Sequence, residues 1–492
     1  MMLMPVAEFL PDLPAFNGGA GEALNVFASS RSYRPFPALS AFSTTPLSAR
    51  AQGAFYTRAS DGTARQFAGD ATKLYLLSST AWGNVSRLAG GGYAATSDDF
   101  WDFAQFGANC IAVNGTDDPQ KFNVDGATNF TALGGTPPTG ARFIEVMGDF
   151  VVTAKFPAAK TRVRWSGIND AESWTISAST QADQQDIPDG GFITGLIGYE
   201  YGGLVFQERA IRRMDYEGSP VIFRFKKLAE GIGATLEGSV AGFGDRAFFV
   251  HRSGFFMVAG AAELVPIGAE KVDRFFWNDI DTVYLSRVTA AVDPVNKIYG
   301  ISYVGAGSGS TSPNRLLVYH WDTGRWSRVQ PGDHEMIYSG ASQQGYTLDT
   351  LDGLSGSVDA LSFSLDSPVY TGVARPLFAG FNTAHNLGYF NGANLAATVD
   401  TTEAQLVEGQ RALLRSLRPM VDGGTPSIAI GTRNRQIDAV SFAGAVAINS
   451  LGTCRGRWRG RYHRARLTIP AASSWNHLYG VDEILAVPAG TR

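Results

Sequence analysis

The run "CRGRWRGRYHRAR", residues 454–466, carries the strongest local charge in a chain that is otherwise weakly acidic. Alternate side chains of a β-strand share a face, so Arg455, Arg457, Arg459 and Arg461 are predicted to line one side of a strand. Guanidinium groups in such a row bind carboxylates or phosphates. The row therefore predicts one of three surfaces: an interface with another subunit, a contact with nucleic-acid phosphates, or a solvated outer strand.

The other reactive side chains form no recognisable catalytic or metal-binding pattern. Cys454 and His463 give only a weak nucleophile signal, and the chain has no nucleophile elbow or phosphate-binding loop. The hairpin "DTGRW" approaches the Asp-box of sialidases but is one residue short and lacks the leading Ser, so Asp322 and Gly324 are interpreted as turn residues. The six histidines lack the spacing of metal ligands: His251, His320, His334, His385, His463 and His477. We expect no enzymatic activity, no catalytic or metal site and no cofactor.

The composition favours many short strands joined by tight turns. The 492 residues include 57 Gly and 12% aromatic residues, while only 17% are charged. A net charge of -4 gives no overall attraction to nucleic acid or to an acidic membrane. Two cysteines, Cys110 and Cys454, cannot form a disulfide framework. The apolar start lacks basic residues and contains several prolines, so neither a signal peptide nor membrane insertion is expected.

The sequence that carries these residues contains a loose repeat. Each unit has an aromatic strand, a turn rich in Gly, Asp and Asn, and a second aromatic shortly before an aliphatic residue. The units end at Leu88, Leu133, Ile176, Leu228, Ile267 and Val329, a spacing of about 45 residues. Several short strands per unit at this period are typical of the blades of a β-propeller.

We therefore predict an all-β protein with three parts. Residues 1–35, rich in proline, are predicted to be an extended N-terminal arm that docks on another protein. Residues 36–370 are predicted to form the β-propeller. Residues 371–492 form either a separate C-terminal β domain or the blades that close the ring. Within the last part, residues 401–424 read as a capped helix or as strands around Glu408, with strands favoured.

Several segments together resemble the packaged-DNA stabilisation proteins of short-tailed bacteriophages, also called tail-nozzle or tail-accessory proteins. The resemblance is carried by "NVFASSRSYRPFPAL", "FYTRASDGTARQFAGDATKLYLL", "RVRWSGINDAESWT", "VYHWDTGRWSRV" and "GRYHRARLTIP". It runs along most of the chain, but no segment is a catalytic fingerprint. It implies a structural, propeller-based subunit with no catalytic residues to carry over.

The resemblance also implies a place in an assembly. Such subunits form a homo-hexameric ring below the portal and its adaptor, contact other tail components such as a needle or fibre, and surround the double-stranded DNA. The expected role is to extend the DNA channel and to help retain the packaged genome, in a virion tail assembled in the host cytoplasm. The alternative is a propeller that binds or cleaves surface glycans, for which Trp165, Trp174, Trp321 and Trp326 are the candidate residues.

Overall fold

Runs of aromatic and β-branched residues separated by Gly, Asp and Asn turns form antiparallel hairpins along the chain. One such hairpin joins Arg315–His320 to Arg325–Val329, with Tyr319 opposite Trp326. Its turn contains Gly324 at φ 66°, a conformation that a residue without a β-carbon adopts at little cost. The segment therefore forms the hairpin that its turn residues predict.

The computed structural model describes residues 3–342, 357 and 376–490. Five short strands precede the first blade of a propeller: Met4–Pro5 (β1), Ala23–Leu24 (β2), Val26–Ala28 (β3), Tyr33–Pro35 (β4) and Pro37–Ala41 (β5).

Blades 1 to 3 each contain four consecutive antiparallel strands. Blade 1 consists of Gly53–Arg58 (β6), Ala64–Gly69 (β7), Leu74–Ser78 (β8) and Ala81–Asn84 (β9). Blade 2 consists of Asp102–Phe106 (β10), Asn109–Val113 (β11), Gln120–Asn123 (β12) and Thr131–Ala132 (β13). Blade 3 consists of Phe143–Met147 (β14), Phe150–Phe156 (β15), Ala159–Trp165 (β16) and Asp183–Asp186 (β17).

Blades 4 to 6 repeat this order. Blade 4 consists of Ile193–Tyr199 (β18), Gly202–Gln207 (β19), Ala210–Gly218 (β20) and Ile222–Glu230 (β21). Blade 5 consists of Ala241–Phe243 (β22), Arg246–His251 (β23), Gly254–Ala259 (β24) and Glu263–Pro266 (β25). Blade 6 consists of Thr289–Asp293 (β26), Ile298–Tyr303 (β27), Arg315–His320 (β28) and Arg325–Val329 (β29).

Blade 7 closes the ring with strands from both ends of the chain. The described strands Met336–Ala341 (β30), Pro376–Phe381 (β31) and Leu387–Asn394 (β32) are completed by β5. The closing contact pairs Tyr389 with Ser40 and Phe390 with Leu39. Its first strand packs against that of blade 1, so the blades form a closed β-propeller, as the sequence predicts. Six blades are separate four-stranded sheets, and blade 6 is the start of a ten-stranded sheet.

Short helices connect some of these strands. Among the described residues, one is an α-helix, Asp273–Asp279 (α1), and four are short 3₁₀ segments: Ala15–Asn17, Pro188–Gly190, Glu237–Ser239 and Thr282–Arg287. Within the described part of the chain, none of the helices has the length and apolar character needed to cross a bilayer.

The rest of the C-terminal region is a β-sandwich that includes N-terminal strands. Its strands are Ala397–Asp400 (β33), Ala412–Val421 (β34), Ser427–Arg433 (β35), Ser441–Phe442 (β36), Val446–Ala447 (β37), Cys454–Gly460 (β38), Tyr462–Ile469 (β39) and Leu478–Pro488 (β40). One sheet has the order β3-β4-β40-β34-β38, with β1 also on β40. The other continues blade 6 through β2-β33-β39-β35-β36.

The N-terminal segment lies in this sandwich rather than standing away from the chain. Met4, Phe9 and Tyr33 are fully buried in a core shared with Leu467 and Trp326. The proline-rich sequence suggested an arm that docks on another protein, whereas these three side chains belong to a core that includes C-terminal strands of the same chain. Burial of these side chains offsets the entropy of ordering an extended segment.

The region after residue 370 supplies strands both to the closing blade and to the sandwich, and the sandwich is continuous with blade 6 rather than separate from it. β31 and β32 belong to the closing blade, while β33 to β40 form the sandwich. The predicted boundary between residues 370 and 371 lies outside the described residues. Ala412–Val421 is a strand, which agrees with the favoured interpretation of that segment. In blade 3 the outer strand is Asp183–Asp186 rather than the run ending at Ile176, because the loop around buried Trp174 lengthens the turn.

Candidate functional site

The arginine-rich run folds into β38, an edge strand of the six-stranded sheet. Arg455, Arg457 and Arg459 are exposed, whereas Cys454 and Trp458 are buried on the opposite face. The buried face packs on the sandwich core, so the strand period of two forces the arginines outward. Three charges therefore stand on one outer surface.

Arg461 does not belong to that row. It follows the end of β38 at the corner where the chain passes to β39 in the other sheet. Its side chain is half-buried, and its guanidinium donates to the carbonyl oxygen of Gly409 at 3.4 Å. The alternation predicted from the sequence continues only as far as the strand does.

A fourth arginine joins the row from the neighbouring strand. Arg415 is exposed at a bulge in β34, where Leu413 lies opposite Arg459 and Ser416 lies opposite Arg455. Sequence reasoning missed Arg415, because the pairing of β34 with β38 is a tertiary fact. The local sequence indicated only that a charged residue interrupts the leucines of "LLRSLR". We call Arg415, Arg455, Arg457 and Arg459 the arginine face.

The arginine face has little compensating charge. Arg459 donates to the backbone oxygen of Ala489 at 2.6 Å. No member of the face forms an ion pair with a carboxylate in the described part of the chain. Leu413 and Val487 are partly exposed beside these charges, and Leu485 is 53% exposed. The surface is basic and aliphatic, which is typical of a contact surface rather than of a catalytic one.

A cavity lies at one end of the propeller axis, apart from the arginine face. This cavity of about 190 Å³ is lined by residues from the first strand of every blade, or from just before it. In six blades these residues lie at or next to the strand start (Gly53, Asp102, Phe143, Val240, Thr289 and Met336), and in blade 4 Leu196 lies three residues into the strand. The first strands of all seven blades therefore begin at the same end of the ring, and we call this end the channel mouth.

Arg142 and Lys155 form ion pairs with carboxylates at the channel mouth. Arg142 donates to Asp99 at 2.8 Å and to Glu237 at 3.3 Å, and its guanidinium lies 3.8 Å from the centre of the Phe100 ring. Lys155 forms an ion pair with Glu237 as well. These contacts link blades 2 and 3 to the loop before blade 5, so they stabilise the ring rather than leave a reactive group free.

Two carboxyl groups near the mouth accept hydrogen bonds from backbone N–H groups of first strands. Asp102 in blade 2 accepts a hydrogen bond at 2.9 Å from the backbone N–H of Ile144 in blade 3. Burial raises the pKa of Asp102 to about 7, against the effect of its hydrogen bonds. Glu145 in blade 3 accepts from Val146 N–H at 2.9 Å, and burial likewise raises its pKa to about 7. Both groups satisfy unpaired backbone donors of inner strands, which is a structural task.

Two of the histidines, His334 and His463, and both cysteines have structural surroundings. His334 and His463 are completely buried, and burial raises the pKa of the Cys110 and Cys454 thiols above the usual range. Thiols of this kind are poor nucleophiles. Among the described residues, no three His, Cys, Asp or Glu side chains are grouped as metal ligands.

Comparisons with known proteins identify no family for this chain. No protein-family model matches the chain, and no curated protein matches it. Among solved structures, the chain is similar to that titled "YCF48 bound to D1 peptide", with 13% identity over 73% of this chain and 96% of the other and a TM-score of 0.39. It is also similar to the computationally designed protein Ika8, with 9% identity over 75% and 99% and a TM-score of 0.38. A third is BBS1N in complex with ARL6DN, with 9% identity over 72% and 96% and a TM-score of 0.41.

Proposed function

We propose that this chain is a structural subunit of a virion tail, a tail-nozzle protein that assembles as a ring below the portal and adaptor. The ring extends the DNA channel and helps to retain the packaged genome. The observation that carries the proposal is the arginine face, an exposed basic surface without a carboxylate partner in the described chain. Such a surface is suited to a carboxylate-rich counter-surface on another molecule, and assembly would supply one.

The architecture supports a mechanical role. The propeller is closed by a strand from the N-terminal end, and the sandwich combines strands from both ends of the chain. A body closed in this way must break long-range pairing before it can open, so it suits a part that bears load. A net charge of -4 also suits a channel component, because a strongly basic wall would hold DNA phosphates rather than let them slide.

The glycan-binding alternative draws no support from its candidate residues. Trp165, Trp174 and Trp326 are at most 2% exposed, and their indole N–H groups donate to backbone oxygens. Buried indoles cannot stack on a sugar ring. Trp321 is half-buried against Phe248 in blade 5. These tryptophans pack the blades together.

The test is negative-stain electron microscopy of the purified protein, alone and mixed with a portal complex that carries its adaptor. We expect six-fold rings with an open central channel, either in solution or on the adaptor. Isolated monomers that do not bind the adaptor would contradict the proposal. A glycan array would then be the next experiment.

A further inference from the structure

The end of the propeller opposite the channel mouth carries exposed acidic turns. First strands begin at the mouth, so the turns that join first and second strands lie at the far end of the ring. Four of these turns present exposed carboxylates, one each from blades 1, 3, 4 and 5. They are Asp61, Asp149, Glu200 and Asp245, and we call them the acidic rim.

The acidic rim lacks cationic partners in the described chain. None of its four carboxylates takes part in an ion pair among the described residues. Nearby cations have other contacts: Arg224 pairs with Glu217 at 2.7 Å, and Lys297 pairs with Asp322. Arg246, which follows Asp245, lies over the Trp321 ring at 5.9 Å from its centre. The rim is therefore a negative surface that matches the arginine face in charge.

The two surfaces also match in their apolar parts. Tyr201, next to Glu200, is 71% exposed, and Phe243, in the strand before Asp245, is 52% exposed. Guanidinium groups bind carboxylates through paired hydrogen bonds and stack on aromatic rings. Leu485 beside the arginines gives the rings an apolar counterpart. An arginine–aliphatic face and a carboxylate–aromatic rim are complementary in both respects.

We propose that the arginine face of one copy docks on the acidic rim of a second copy. The proposal rests on the ring-forming role proposed above and names the surfaces that make the contact. The two patches lie on different parts of the chain, so the contact is head-to-tail and leaves each copy with a free patch for the next one. A second copy fits better than nucleic acid, because phosphates would leave Leu485 and the aromatic rim unused.

The test uses two charge-reversed proteins and their mixture. The first carries R455E, R457E and R459E, and the second carries D149K, E200K and D245K. Each variant alone pairs like charges, so its self-association weakens at least about 100-fold relative to the wild type in low salt. In an equimolar mixture the reversed surfaces complement each other. We expect sedimentation velocity to show association of the mixture and of neither variant alone, lost in about 1 M salt.

A matched control carries R31E, K226E and R252E, at exposed positions outside both surfaces. Its net charge changes by the same amount as that of the arginine-face variant. It is expected to associate like the wild type. A mixture that sediments as its two separate components would overturn the contact. A second contrary result would be that the wild type binds duplex DNA, and that the arginine-face variant loses this binding but self-associates as the wild type does.

The outcomes separate this contact from the proposed function. Wild-type rings on the adaptor, together with a mixture that does not associate, would overturn the contact alone. An associating mixture with a wild type that forms no ring would support the contact and overturn the nozzle proposal.

Discussion

At the scale of single residues, burial decides what the charged groups of the propeller do. Asp102 and Glu145 look like any carboxylates in the sequence, yet each accepts a backbone N–H within the ring. Their pKa values are raised because the charged form loses water. Arg455 and Arg457, by contrast, stay in solvent and remain available to a partner.

The raised pKa of Asp102 predicts a pH-dependent stability. The folded state keeps the proton up to about pH 7, whereas the unfolded chain loses it near about pH 4. The folded state therefore binds more protons between these values, and this group makes the fold less stable as pH rises through the window. The side chain of the Asp102→Asn variant cannot ionise. The melting temperature of the variant minus that of the wild type should therefore be higher at about pH 8 than at about pH 5.

Differential scanning calorimetry at the two pH values checks this. The control is Glu270→Gln, which removes an exposed carboxylate outside the channel mouth and outside the acidic rim. If the melting temperature of the D102N variant differs from that of the wild type by the same amount at both pH values, Asp102 is not the titrating group.

At the scale of elements, the ring depends on the pairing of β32 with β5. Gly388 lies opposite Ala41 in this pair, and a β-carbon at Gly388 would come 2.6 Å from the backbone oxygen of Ser40. Real β-carbons do not approach a backbone oxygen so closely, so one of the two strands must shift. The close pairing of β5 with β32 therefore requires a glycine at position 388.

Gly388→Ala should destabilise the protein by about 1–3 kcal/mol, the usual cost of overpacking. The control is Gly83→Ala in β9, where the nearest atom to a new β-carbon is 3.7 Å away, so its effect should stay within about 0.5 kcal/mol. Chemical denaturation measures both free energies of unfolding. Equal values for the two variants would mean that the β5 strand does not determine stability.

At the scale of the whole molecule, propeller and sandwich share one core. Blade 6 continues into the sandwich through β2, and Leu467 of β39 belongs to the same apolar cluster as Trp326 of β29. Arg325 of β29 also donates to the backbone oxygens of Ser29 at 2.6 Å and Ala7 at 3.2 Å. The two parts are therefore expected to unfold together.

Leu467→Ala tests this coupling, because it should cost about 2–5 kcal/mol in the sandwich core. We expect one calorimetric transition at a lower temperature, with faster hydrogen exchange in peptides of blade 6 as well as in β39. The exposed Leu451→Ala is the control. Two separated transitions, with blade 6 unaffected, would show that the parts are independent.

The repeat of hairpins was predictable because each lies within one short stretch, where strand-forming residues and turn residues are neighbours. Asp322 and Gly324 indicate their turn, and alternation places Arg455, Arg457 and Arg459 on one face without any knowledge of the fold. Local sequence thus determined the fold class and three members of the arginine face.

Only the tertiary structure decided the long-range partners. β5 closes a blade whose other strands come about 300 residues later, and Tyr33 and Phe9 fill a core built from C-terminal strands. Arg415 joins the arginine face and Arg461 leaves it because of pairing and a sheet corner. Such contacts depend on burial shared between distant segments. The sequence of one strand does not identify the segment that pairs with it or packs on it.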